Sequence, residues 1–209
     1  MMLRIRSFGC AIVFSCLIAG CGGGSSGEEK SSPETSAMIP PLSANPHNLT
    51  QGEKIGESHW PDGSTVIGGH GQAFTNVRCA LNENYHQHVH LTVIVDGIFL
   101  SVPADIGLQG CAYELHTHDR SGIIHIESDR TKTFNLGDFF SVWGQPLSQT
   151  TLAEINRPVR AFVQGPNASI ATEYFGDPSR IDLTPKAEIT LIIGALPSSL
   201  PRYIWPSSL

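Results

Sequence analysis

Between Tyr85 and Val95 polar and apolar residues alternate: His86, His88 and His90 fall on one side, Val89, Leu91, Val93 and Val95 on the other. Successive side chains of a β-strand point to opposite faces, so this segment predicts a strand with an apolar core face and a histidine face. The alternation returns in Leu115-His-Thr-His118 and in Ile123-Ile-His-Ile126, where Ile124 and Ile126 flank His125. Asp96-Gly97 predicts a tight hairpin joining Val93 to Val102. Arg160 to Gln164 and Glu188 to Ile193 read as further strands. A helical period occurs once: Leu136, Phe139, Phe140 and Trp143 lie at i, i+3, i+4 and i+7, Asn135 can cap, Asp138 suits the first turn, and Gly144 and Pro146 end the helix. Thr151-Leu152-Ala153-Glu154 has capping-box spacing and predicts a single helical turn. The expected fold is mainly β, a small β-sandwich or open barrel with one or two short helices.

Residues 1–20 read as an address. Arg4 and Arg6 precede a short apolar run from Phe8 to Ile18, and Ile18-Ala19-Gly20-Cys21 places a cysteine after small residues. This resembles a bacterial lipoprotein signal with its lipobox, which implies cleavage before Cys21 and lipid on its thiol. The expected location is the cell envelope outside the cytoplasm, on the periplasmic or cell-surface face, with the membrane reached through the Cys21 anchor. After Cys21 the chain is rich in Gly, Ser, Glu, Pro and Thr to about residue 45 and cannot bury enough surface to fold. The expected organisation is a signal over 1–20, a lipidated cysteine and tether over 21–58, and one histidine-rich β domain over 59–209, in which many of the 21 glycines and 14 prolines supply turns.

Losing the signal removes Cys10 and Cys16 and commits Cys21 to lipid, leaving Cys79 and Cys111 in the folded part. Outside the cytoplasm two such cysteines usually pair; the alternative is that Cys111 serves as a thiolate ligand. Removing Arg4 and Arg6 with the signal shifts the net charge from −6 to −8. That sign disfavours nucleic acid and anionic lipid surfaces and favours cations.

Six of the nine histidines, His86, His88, His90, His116, His118 and His125, fall within forty residues. Asp119-Arg120-Ser121-Gly122 has the composition of a four-residue hairpin loop, which sets His118 opposite Ile123 and His116 opposite His125. Directly opposed residues share a face with Cβ atoms about 4.5–5.5 Å apart, close enough for two imidazoles to grip one ion. Glu114 and Glu127 form the next pair and are candidate general bases; as like charges they need a proton, a cation or a ligand between them. His47, His59 and His70 lie in Gly- and Pro-rich sequence and are assigned structural roles, as any single one of the six would be if it stood alone. Met1, Met2 and Met38 all lie in the signal or tether, so a thioether ligand is missing from the folded part and the site is nitrogen-rich, suiting Zn²⁺ or Cu²⁺. The spacing does not match a cupin, in which a Glu follows His-x-His by three or four residues. His116, His118 and His125 could imitate the three zinc histidines of α-carbonic anhydrases, which this chain otherwise does not resemble.

The strings His86-Gln-His-Val-His-Leu91, Val102-Pro-Ala-Asp-Ile-Gly107, Leu115-His-Thr-His-Asp119, Gly122-Ile-Ile-His-Ile-Glu127 and Leu136-Gly-Asp-Phe-Phe-Ser-Val-Trp-Gly144 occur in that order. Together they resemble an uncharacterised family of exported bacterial and archaeal proteins, from about Cys79 to the C-terminus; the resemblance supports the domain boundaries and implies no activity. Three functions stay open. One is an envelope lipoprotein that binds a divalent transition metal and serves a metal transporter or an apo-metalloenzyme. Another is a metal-dependent enzyme of hydrolase or hydratase type, with three histidines, an open water position and Glu127 or Glu114 as base. The third is an interaction or scaffold domain with structural histidines. No nucleophile elbow or phosphate loop is present, which favours binding.

Overall fold

The computed structural model describes residues 39–63 and 76–209. In chain order its elements are β1 (His47–Asn48), β2 (Glu57–Ser58), β3 (Tyr85–Val95), β4 (Ile98–Ser101), β5 (Leu115–His116), β6 (Ile123–Ser128), α1 (Leu136–Trp143), β7 (Leu147–Ser148), β8 (Thr151–Leu152), β9 (Val159–Gln164), β10 (Thr172–Tyr174), a 3-10 turn at Pro178–Arg180, β11 (Glu188–Ile193) and β12 (Tyr203–Ile204). The protein is mainly β and sandwich-like, and the described strands close no barrel. Its main sheet runs β10-β9-β11-β3-β4-β2, with β6 also on β3 and β5 on β6; β1 pairs with β12 and β7 with β8 in separate ribbons.

The long strand β3 organises the sheet. One edge pairs in parallel with β11, from His90↔Glu188 to Val95↔Ile193. The other edge is divided: its first half pairs antiparallel with β6, from Tyr85↔Ser128 to His90↔Ile123, and its last residues pair with β4. At the division Leu91 N donates to Gly122 O at 2.9 Å, while His90 N donates the other way to Ala187 O at 3.0 Å. Gly122 has φ +88°, and a Cβ there would lie 2.4 Å from Leu91 O, so only glycine lets β6 turn in against β3.

The apolar face expected from the alternation is the core. Val89, Leu91, Val93, Ile124, Ile126, Ile189 and Leu191 pack in one cluster with α1 through Leu136, Phe139, Phe140 and Trp143. The helix has the expected bounds and caps: Asn135 Oδ1 accepts from Asp138 N, the Asp138 carboxylate accepts from Asn135 N, and Gly144 ends it in the left-handed conformation. On the opposite sheet face Ile94, Phe162, Ala171, Ile192 and Leu200 form a smaller cluster.

Two expectations are corrected. Thr151 does not start a helix: Thr151 and Leu152 form β8, Ala153 has φ +50°, and the Glu154 carboxylate accepts the Trp60 indole N–H at 2.7 Å instead of capping. The folded part also begins before residue 59, because β1 and β2 belong to it and Leu49 is buried. Residues 52–55 brace the histidine hairpin: Gly52 N donates to Asp119 Oδ2 at 2.7 Å and Ile55 N to Arg120 O at 3.0 Å. The signal segment, Cys21 and His70 lie outside the described residues.

Cys79 and Cys111 form a disulfide across a sequence separation of 32, so Cys111 is not a free thiolate. A loop of that size predicts a loss of about 3–4 kcal/mol for Cys79→Ser/Cys111→Ser. Urea unfolding of the two proteins side by side checks this, and coincident midpoints would contradict it.

Candidate metal centre

The register sets three imidazoles in one row across three strands. His88 pairs with His125, and His125 pairs with His116. The next row is His86, Glu127 and, by the Glu127 N to Glu114 O hydrogen bond of 2.9 Å, Glu114. The chain leaves the ladder after His116, so His118 does not oppose Ile123 in a strand pair. Between them Thr117 points inward, accepting from Ile106 N at 3.1 Å and donating to Pro103 O at 2.8 Å. Anchoring Thr117 this way turns His116 and His118 together onto the histidine face.

Five imidazoles meet there. The His125 ring centroid lies 4.5 Å from His88, 4.5 Å from His118, 5.3 Å from His116 and 5.8 Å from His86. One Glu127 oxygen, Oε1, lies 3.2 Å from His86 Nε2, 3.5 Å from His125 Nδ1 and 3.6 Å from His116 Nε2; His116 Nε2 is 3.3 Å from His118 Nε2. A tetrahedral ion with bonds of about 2.0–2.1 Å holds its ligand atoms about 3.3–3.4 Å apart. The His116–His118, His125–Glu127 and His116–Glu127 spacings lie near that edge, and all four donor atoms of the group fall within 4.8 Å of one another. His116, His118, His125 and Glu127 form one group able to hold a metal ion, His86, His88 and His125 a second, and Glu83, His86 and Glu127 a third.

Two features suit the donors to a cation. The His116 Nδ1–H donates to Tyr113 O at 2.7 Å, which fixes the tautomer and leaves the Nε2 lone pair facing the cluster. His88 Nε2 and His125 Nδ1 are buried without a hydrogen-bond partner, an arrangement costly unless something supplies the missing contact. His88, His116 and His125 are buried, whereas His86 and His118 are exposed and form the mouth of the cluster.

Burial sets the charge state. It lowers His88 and His116 from 6.5 to about 4 and, with His88 beside it, His125 to about 2. Burial, assisted by Glu83, raises Glu127 above the ordinary carboxylate range. At neutral pH the three inner imidazoles are therefore uncharged, as a metal ligand must be.

The other candidates lie elsewhere. His90 is fully buried between Glu188 Oε2, 2.9 Å from its Nδ1, and Ser121 O, which accepts from Nε2 at 2.8 Å, so both ring nitrogens are engaged. Glu114 is buried against Lys132 at 2.7 Å and Arg78 at 3.5 Å, which neutralise it and answer the like-charge problem expected from the register. Asp119 caps its own turn, accepting from Ser121 N at 2.8 Å and from the Ser121 hydroxyl. His47 pairs with Glu53 and His59 with Glu154, away from the cluster. Sequence reasoning missed Glu83, whose signal is its place three residues before His86, and the Tyr113 carbonyl, which leaves no signal.

Metal-free protein should lose stability in acid. Its three inner histidines have folded pKa values below the unfolded 6.5, so the unfolded chain takes up the protons. Their contribution is complete above about pH 6.5 and is lost as pH falls from there toward about 4 for His88 and His116 and toward about 2 for His125. Urea midpoints of chelator-treated protein measured across that interval should fall steadily, and a flat profile would contradict neutral, buried imidazoles.

No family model, curated protein or solved structure matches this chain. What the cluster does is therefore argued from its own geometry.

Proposed function

We propose that this protein is an envelope lipoprotein that binds a divalent transition-metal ion, Zn²⁺ or Cu²⁺, through the histidine cluster. The ion is held by His116, His118, His125 and Glu127 and is passed to or from a metal transporter or an apo-metalloenzyme. The observation that carries the reading is the spacing of those four donors, which could meet one ion, around a buried His125 nitrogen that makes no hydrogen bond. The donor set is rich in imidazole nitrogen and contains no thiolate or thioether, which favours Zn²⁺ and Cu²⁺ over Cu⁺. The acidic balance of the mature chain is consistent with a cationic cargo.

A second reading is a metal-dependent enzyme in which the three histidines hold the ion and Glu127, raised by its burial, acts as general base on a bound water. Glu114 is ill placed for that role because two cations neutralise it. Under this reading Glu127→Gln would keep the ion and lose ester hydrolysis or hydration activity; under the binding reading it weakens metal affinity.

Elemental analysis of the full chain decides whether metal is bound. Wild-type protein should carry stoichiometric Zn or Cu, His116→Ala/His125→Ala should lose most of it, and His47→Ala should keep it. Metal content in the folded double variant equal to that of wild type would reject the site, and metal-free wild-type protein after loading would leave a scaffold domain. For the anchor, Cys21→Ser should abolish incorporation of labelled fatty acid; continued labelling would reject lipidation at that residue.

A further inference from the structure

The cluster holds more donors than one ion can use. Zn²⁺ in proteins takes four ligands and at most about five, and His116, His118, His125 and Glu127 already supply four. His86, His88 and Glu83 remain beside them, and His88 Nε2 is a buried nitrogen without a partner that an ion held by the first four residues would not satisfy. His86 and His88 are not scattered around the rim. Their ring centroids lie 4.7 Å apart on the same face of β3, and His86 approaches Glu127 Oε1 at 3.2 Å from the side away from His116 and His118. His86 also lies within 4.0 Å of Glu83.

We infer that the histidine face contains two adjoining metal positions. The first is the His116, His118, His125 and Glu127 position. The second is held by His86 and His88, with Glu83 at its solvent side, and the shared residues Glu127 and His125 stand between the two. The inference rests on the metal-binding reading above and adds a second ion to it. A carboxylate lying between two ion positions suits a pair, because its negative charge offsets the repulsion of two dications; paired metal sites in proteins place their ions about 3.5–4 Å apart. The exposure of His86 and Glu83, against the burial of His88 and His125, gives the second position an outer side that meets solvent and an inner side that adjoins the first.

The test uses the full chain, stripped with chelator, loaded with excess Zn²⁺ and desalted. Two Zn per chain are expected for wild type and for His47→Ala/His59→Ala, and one for His86→Ala/His88→Ala. His86→Gln/His88→Gln repeats the measurement with bulkier polar replacements, and circular dichroism identifies any variant that has not folded. Loading with Cu²⁺ supplies an independent readout: two neighbouring Cu²⁺ ions should show magnetic coupling in electron paramagnetic resonance, and His86→Ala/His88→Ala should restore the signal of an isolated ion. One ion per wild-type chain overturns the second position and leaves the metal-binding reading intact. Two ions without coupling, or two ions in the folded His86/His88 variants, overturn it as well. No ion in wild-type protein overturns both readings.

Discussion

The donors of β3 and β6 meet because of how β6 docks on β3, a pairing that begins at the hydrogen bond from Leu91 N to Gly122 O. That register sets His88 beside His125 and, through β6, His125 beside His116. Side chains alternate strictly along a strand, so a slip of one residue would turn His125 into the apolar core and bring Ile124 or Ile126 to the histidine face. The contact needs a residue without a Cβ, which makes Gly122 as necessary to the cluster as any imidazole in it.

Burying His88, His116, His125 and Glu127 together opposes folding unless the groups stay uncharged or meet a cation. The protein supports the arrangement from below. The apolar residues of β3, β5 and β6 lock into the cluster built around Trp143 and Tyr113, and the disulfide ties the segments that precede β3 and β5. Within the cluster, His88 Nε2 and His125 Nδ1 are left without a hydrogen bond, and Trp143 Nε1, Gln164 Oε1 and Glu188 Oε1 are similarly unpaired elsewhere. A stable scaffold holding an unsatisfied polar cluster has the character of a preorganised binding site, because the donors need not be gathered when the ligand arrives.

The strands and the helix were legible because their signals are local. Val89, Leu91 and Val93 alternate with histidines; Asn135, Asp138 and Gly144 mark helix ends by backbone chemistry that needs no distant partner. The pairing of His116 with His125 came out as expected, although the connection between the two strands is six residues, 117–122, because the chain leaves the ladder after His116. Features that depend on distant segments were not legible. Glu154 has the spacing of a capping residue, but Trp60, far away in sequence, claims its carboxylate. Residues 47–58 look like tether because their partners, β4, β12 and the Asp119–Arg120 turn, lie more than forty residues away. His90 shares the alternation of His86 and His88, and only the arrival of β11 with Glu188 separates it from them.

That separation gives His90 a different part in the molecule. It joins the turn of the histidine hairpin, through Ser121 O, to β11, through Glu188, while the Tyr203 ring from the C-terminal ribbon covers it at 4.1 Å. His90 is thus a rivet between three segments far apart in sequence, driven through the same strand that carries two of the donors. Loosening it would free the turn that follows His118 without altering a single group in the cluster, so the geometry of the cluster can be upset from a histidine that is not part of it.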